Sequence, residues 1–259
     1  MTPIQMIVTD LDGTLLRPDK TISPFTADIL RSCRQRGMVI AFATARSERS
    51  CKRLTDTVNP DAVISNGGAL VRARDTMIYR AAMSRETANE LLRSFLRRTD
   101  VGLITVDTDL GFFVDKPVHA NNPEWSEYLP AYPMDFSQGL DCDAYKITVE
   151  ISDDTTAYEI ASGFPTVDVL PFAGERWFRY ADTAADKLCG VKALAAHFGV
   201  DLPHVAAFGD DYGDLEMLRA CGAGVAVANA ISEVKAAADC ICGSNDVDGP
   251  AKWLEENVL

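Results

Sequence analysis

"MIVTDLDGTLL", Met6–Leu16, is the stretch on which the reading of this chain turns. Met6, Ile7 and Val8 form an apolar run that ends on two carboxylates, Asp10 and Asp12, with Gly13 directly behind them. An apolar run without alternation is the pattern of a strand buried on both faces. Two acids so close together repel each other unless a cation relieves them. A hard divalent cation suits the pair, and Mg²⁺ takes one or two carboxylates together with water and a phosphate. Asp10 is then the candidate nucleophile toward phosphorus. Asp12, in the turn that Gly13 permits, is the candidate acid and base. The plainer reading of the same residues is an Asx turn that closes a strand.

The rhythm of buried strand and amphipathic helix continues outward. "SPFTADILRSCRQRG" reads as a helix, with Ser23 as cap, Pro24 in the first turn and Gly37 at the stop. "MVIAFAT" reads as a second buried strand, followed by a helix from about Ser47 and a short strand in "DAVISNGG". Late in the chain, "DKLCGVKALAAHFG" carries a helical stripe of Leu188, Val191, Leu194, Ala195 and Phe198. "HVAAFGDD" reads as a strand and "YGDLEMLRACG" as a helix. "GVAVAN", a helix from Ser232, a buried strand in "DCICG" and a closing helix from about Gly249 complete the series. This is the alternation of an α/β protein with a Rossmann-like parallel sheet and helices on both faces.

The middle has another pattern. "ALVRARDTMIYRAAM" resembles a hairpin, a helix follows over 84–98, and "VGLITVDTDLGFFVD" reads as two strands around a turn. "AYKITVEISDD" reads as a strand, with a helix near Ala157 and "VDVLPFAGERWFRYAD" after it. Antiparallel strands with helices make an α+β unit. The expected organisation is a core of residues 1–80 and 184–259, interrupted by an inserted α+β domain at 81–183.

Three core strands end in reactive groups: Asp10, Thr44 and Asp210. Ligands of an open parallel sheet gather beyond the carboxyl ends of its strands, so the three converge if the strand of Asp10 lies between the other two. Asp210 is the best side-chain metal ligand of "GDDYGD". The Thr44 hydroxyl, with backbone N–H groups of the turn at Ala45, can hold a phosphate oxygen. Thr44 alone also reads as a β-branched strand end. Arg46 either adds positive charge or pairs with a surface acid. Lys187 opens a helix, where a cation opposes the dipole, so it answers an anion or is simply solvated. Asp211 reads as an N-cap, with Asp214 at the third position of a capping box. Asp214 also fits a supporting role, orienting metal waters.

The bulk composition narrows the class. The 259 residues have 47% hydrophobic and 24% charged content, ordinary for a soluble globular protein. A formal net charge of −13 argues against a nucleic-acid partner but not against a small anion in a pocket of its own local charge. The seven cysteines are odd in number and scattered, which argues against a disulfide framework. No basic start with an apolar segment opens the chain, and no stretch approaches a membrane span, so a cytoplasmic protein is expected. Monomer and homodimer are both compatible with the sequence.

"DLDGTLL", "FATAR", Lys187 and "GDDYGD" resemble the four motifs of the haloacid dehalogenase superfamily. The insert resembles the cap of its Cof-type (HAD-IIB) phosphatases. "VISNGG", "VAAFGDDYGDLEML", "GVAVANA" and "DVDGPAKWLEE" resemble phrases of that subgroup, in order. The resemblance implies a HAD fold and a Mg²⁺-dependent phosphatase acting on a small phosphorylated metabolite, a sugar phosphate first, through an aspartyl-phosphate. It implies Asp10 as nucleophile and metal ligand. Asp12 is implied as acid/base, binding metal through its carbonyl, with Asp210 as metal ligand and Asp214 as support. Thr44, Ala45 and Lys187 are implied around the phosphate, and the cap closes over the site to exclude water. Arg46 and Asn66 are further candidate substrate contacts, as are Lys116, His119, Asn121, Lys146, Arg176 and Arg179 in the insert. Two residues depart from the pattern: Ala45 stands where Gly is usual, and Gly213 where Asn is usual. The alternatives are a phosphomutase like phosphomannomutase, which returns the phosphoryl group to substrate, and a non-catalytic phospho-ligand sensor. A dinucleotide-binding protein is disfavoured, since no G-x-G-x-x-G follows the first strand.

Overall fold

The computed structural model describes residues 3–116 and 130–259. They divide into two compact units, one of Met1–Arg80 with Asp186–Leu259 and one of Ala81–Ala185.

The first unit opens with β1 (Met6–Thr9), buried along its whole length. α1 (Pro24–Gln35) starts where the Ser23 hydroxyl accepts a hydrogen bond from the Thr26 N–H at 3.0 Å, with Pro24 at its first position. β2 (Val39–Ala43), α2 (Glu48–Val58) and β3 (Ala62–Ser65) follow. β4 (Leu70–Ala73) and β5 (Thr76–Arg80) form the hairpin, which joins this sheet antiparallel to β3 rather than the insert.

The second unit contains α3 (Arg85–Leu96), β6 (Val101–Asp107), β7 (Phe112–Val114) and β8 (Ala131–Pro133). It continues through β9 (Lys146–Ile151), α4 (Asp154–Ser162), β10 (Val167–Pro171) and β11 (Trp177–Asp182). Its sheet runs β10-β11-β9-β6-β7-β8, and Ile104, Val106, Ile147, Val149, Phe178 and Tyr180 pack with the helices into one core. β8 was not legible in the sequence. It is three residues long and includes Pro133, which an edge strand tolerates because one side needs no donor.

The chain then completes the first unit with α5 (Lys187–Phe198), β12 (Val205–Gly209), α6 (Leu215–Ala220) and β13 (Ala223–Ala226). α7 (Ser232–Ala237), β14 (Cys240–Ile241) and α8 (Gly249–Asn257) end it. Among the described residues the sheet order is β14-β13-β12-β1-β2-β3-β4-β5, parallel from β14 to β3. The period of two is clear in β1. Ile7 faces the helices α1, α2 and α8 with Ile40, Phe42 and Phe208. Met6 and Val8 face α5, α6 and α7 with Ala41 and Ala207. Full burial of such a side chain contributes about 1.5–3 kcal/mol. The expectation of a buried strand in "DCICG" is corrected: β14 is a two-residue edge strand, and Ile241 is 54% exposed because no further strand among the described residues covers it.

Candidate active site

β1 lies between β12 and β2, with Thr9 level with Phe208 on one side and Phe42 on the other. Asp10, Asp210 and Thr44 therefore leave the sheet at the same end of three neighbouring strands. The Asp10 N–H donates to the Phe208 carbonyl at 3.0 Å, and the Thr44 N–H to the Ile64 carbonyl at 2.8 Å. Asp10 and Thr44 are both buried.

Lys187, the first residue of α5, is buried against Asp10. Its ammonium donates to Asp10 Oδ1 at 2.6 Å and to Asp214 Oδ1 at 2.7 Å. Burial works against its charge, but the two carboxylates outweigh burial and hold it protonated above the usual lysine range. Asp214 Oδ2 accepts from the backbone N–H groups of Asp210 (3.0 Å) and Asp211 (3.2 Å). Asp211 and Asp214 close a capping box, so Asp214 caps a turn and orients Lys187 at once. Oxygens of Asp10, Asp210 and Asp214 lie within 4.8 Å of one another. Burial, with the neighbouring acids adding to it, raises Asp10 well above the usual carboxylate range. Asp210 is pushed up to about 7, by burial first and then by Asp214. One ammonium against three carboxylates leaves negative charge uncompensated. A set of hard oxygen donors in that state fits a divalent cation such as Mg²⁺.

Residues Leu11–Leu15 make a wide turn, closed by the Leu16 N–H on the Leu11 carbonyl at 2.8 Å. Gly13 has φ +78°, and a Cβ there would lie 2.2 Å from Asp210 Oδ2. Only glycine lets the turn pass this close to the acid. Asp12 is half-exposed and turns to cations. Arg46 grips it with two hydrogen bonds, Nε to Oδ2 at 2.5 Å and Nη2 to Oδ1 at 2.7 Å. Lys20 adds a third at 2.8 Å. Burial raises the Asp12 carboxyl, but Arg46 and Lys20 outweigh it and hold it below the usual range. Arg46 is buried and committed to Asp12, so its acid belongs to the site and not to the open surface. Ala45 lies outside the left-handed backbone region, so nothing local demands the usual glycine. A Cβ on Gly213 would meet only Lys187 Cε at 3.9 Å.

The structure adds residues that the sequence did not single out. The Thr14 hydroxyl donates to Asp210 Oδ1 at 2.6 Å. The Asn229 amide donates to the Gly13 carbonyl at 2.7 Å and accepts from the Asn245 N–H at 3.0 Å. Asn245 in turn donates to the Leu16 carbonyl at 2.7 Å. Polar residues in "DGT" and "VANA" were the only local signal. Asn66 is buried at the end of β3, in a turn bonded to the Thr44 and Arg46 carbonyls. In the second unit, Lys146 is buried against Asp107 at 3.4 Å and Arg179 donates to the Ala185 carbonyl at 2.9 Å. Lys116 and Arg176 are exposed there. His119 and Asn121 lie outside the described residues.

A family model for haloacid dehalogenase-like hydrolases matches residues 7–254. The chain is 28% identical to the stress response protein YhaX of Bacillus subtilis, over 97% of its own length and 92% of that protein. It is 25% identical to the 5-amino-6-(5-phospho-D-ribitylamino)uracil phosphatase YitU of the same organism, over 97% and 96%. Among solved structures, the HAD subclass IIB sugar phosphatase BT4131 superposes with a TM-score of 0.86 at 24% identity, over 97% of this chain and 98% of that one, a likeness of fold.

Proposed function

The chain belongs to the haloacid dehalogenase-like hydrolase family, and from that premise we propose a phosphatase that moves the phosphoryl group of a small phosphorylated metabolite first to Asp10 and then to water. The observation that carries this reading is the bonding of Lys187 to both Asp10 and Asp214 at the end of the central strand, with Asp210 beside them. The YitU relative and the BT4131 neighbour, named for a phosphorylated ribityl compound and for sugars, support a phosphorylated sugar or polyol as substrate.

Asp10, Asp210 and the Asp12 carbonyl would hold Mg²⁺, with Asp214 in support; bound there, it supplies positive charge for the carboxylates and the phosphoryl oxygens. Asp10 attacks phosphorus and the bond to the alcohol oxygen breaks. Asp12 gives that oxygen its proton. Water then attacks the aspartyl-phosphate, Asp12 takes the water's proton, and Asp10 and inorganic phosphate are released. Lys187 and the Thr44 hydroxyl, with the Ala45 N–H, face the equatorial oxygens, where transition-state charge spreads. Arg46 and Lys20 keep Asp12 ionised at rest, which suits its base half. A dianionic ester close by raises its proton affinity for the acid half. No described helix is long and apolar enough to cross a membrane, and we read the enzyme as cytoplasmic.

The test is release of inorganic phosphate from a panel of phosphorylated metabolites, with Mg²⁺ and with EDTA. Asp10→Asn is expected to lose turnover by about a thousandfold or more. Normal turnover in that variant overturns the nucleophile, and an isomerised sugar phosphate without phosphate release identifies a mutase.

A further inference from the structure

Asn66 carries the one buried side-chain polar atom without a hydrogen-bond partner among the described residues, its Oδ1. The residue is only 3% exposed. A buried amide oxygen left unpaired is costly and calls for an explanation. Its backbone is unusual as well, with φ +52° at Asn66, then +70° at Gly67 and +111° at Gly68. Asparagine and glycine are the residues that adopt this left-handed backbone most readily, so the sequence suits the turn.

The turn is bonded to the main chain of the segment that the phosphatase reading sets around the phosphate. The Asn66 N–H donates to the Arg46 carbonyl at 2.7 Å, and the Gly67 N–H to the Thr44 carbonyl at 2.9 Å. Gly68 packs so closely on α5 that a Cβ would lie 2.1 Å from the carbonyl oxygen of Asp186, the neighbour of Lys187. One turn is thus braced on the Thr44 loop and on the start of the Lys187 helix. An acceptor held there cannot answer the phosphate, whose oxygens are acceptors too. It takes a donor, and the part of a phosphomonoester that carries donors is its alcohol. A sugar or polyol offers hydroxyls, and a plain alkyl or aryl group offers none.

We propose that the Asn66 side-chain amide is a specificity-determining contact, its oxygen accepting a hydrogen bond from a hydroxyl of the leaving group next to the phosphoester. This rests on the phosphatase reading above and narrows its substrates to hydroxylated esters.

Asn66→Gly tests it without endangering the fold, since glycine adopts this backbone freely while the amide is lost. kcat/KM is measured with Mg²⁺ on ribose 5-phosphate and glycerol 1-phosphate, and on n-propyl phosphate and p-nitrophenyl phosphate. The ratio of hydroxylated to hydroxyl-free ester is expected to fall about tenfold in the variant. Asn66→Asp, which keeps an acceptor and suits the same backbone, is expected to retain more of that ratio than Asn66→Gly. An unchanged ratio in Asn66→Gly overturns the proposal, whether both esters slow together or neither slows. It then assigns the oxygen to a bound water or to the fold. Wild-type protein that releases phosphate from no ester overturns the phosphatase reading itself, a result distinct from an unchanged ratio.

Discussion

Lys187 is the residue on which the site's electrostatics depend. Its ammonium is buried and bonds two buried carboxylates. Removing one partner of a buried pair costs about 3–5 kcal/mol, because the other charge is left uncompensated. Lys187→Met is therefore expected to lower stability by about that much in urea unfolding, and to lower kcat with it. Gly213 shows the opposite case. Its neighbourhood is open, its φ is not positive, and a Cβ meets only Lys187 Cε at 3.9 Å. Gly213→Ala is expected to raise stability by about 0.4–1 kcal/mol through the unfolded chain, read as a higher Tm. Lys187 was legible as a helix-start cation that either answers an anion or is solvated, and the structure shows it bonded to carboxylates. That it answers two was not legible, because Asp214 approaches through the fold of a separate loop.

The turn after β1 is held by partners far off in sequence. Thr14 bonds Asp210, 196 residues on, and the Gly13 carbonyl bonds Asn229, 216 residues on. Asp248 does the same for the next segment. It accepts from Arg17 Nε at 3.1 Å and Nη2 at 2.5 Å, and from Thr26 in the first turn of α1 at 3.2 Å. Burial raises the Asp248 carboxyl, but its bonds to Arg17, Ser23 and Thr26 outweigh it and hold it below the usual range. A depressed folded value contributes stability that is complete above the unfolded carboxylate range and is lost as pH falls through the folded value. Asp248 has φ +59°, which asparagine tolerates as well as aspartate. Asp248→Asn is thus expected to have a lower Tm than wild type at pH 7, with the gap closing below about pH 4. Equal gaps at both pH values would show that charge is not what holds the three segments. At this scale the sequence was legible wherever burial or capping repeats locally, as in α1 with Ser23 and Pro24. It was not legible in β14, whose apolar residues suggested burial and whose place at the sheet edge denies it.

For the whole molecule, Mg²⁺ held by the cluster of Asp10, Asp210 and Asp214 would couple metal binding to stability. A ligand that binds only the folded state adds about 2.7 kcal/mol at one hundred times its Kd. Mg²⁺ without substrate is expected to raise Tm in a concentration-dependent way, and Asp210→Asn to remove most of that shift. A flat Tm across the titration would count against these acids as the metal site. The order of apolar runs, each ending on Asp10, Thr44 or Asp210, was set by the sequence alone, because periodicity and burial preference are local properties of a chain. The choice of partners was decided only by the tertiary structure: Asp12 with Arg46 and Lys20, Asp10 and Asp214 with Lys187, and the Asn66 side-chain oxygen with none among the described residues. Ion pairs and hydrogen bonds act over a few ångströms, and only the register of packed strands and helices brings such distant residues within that reach.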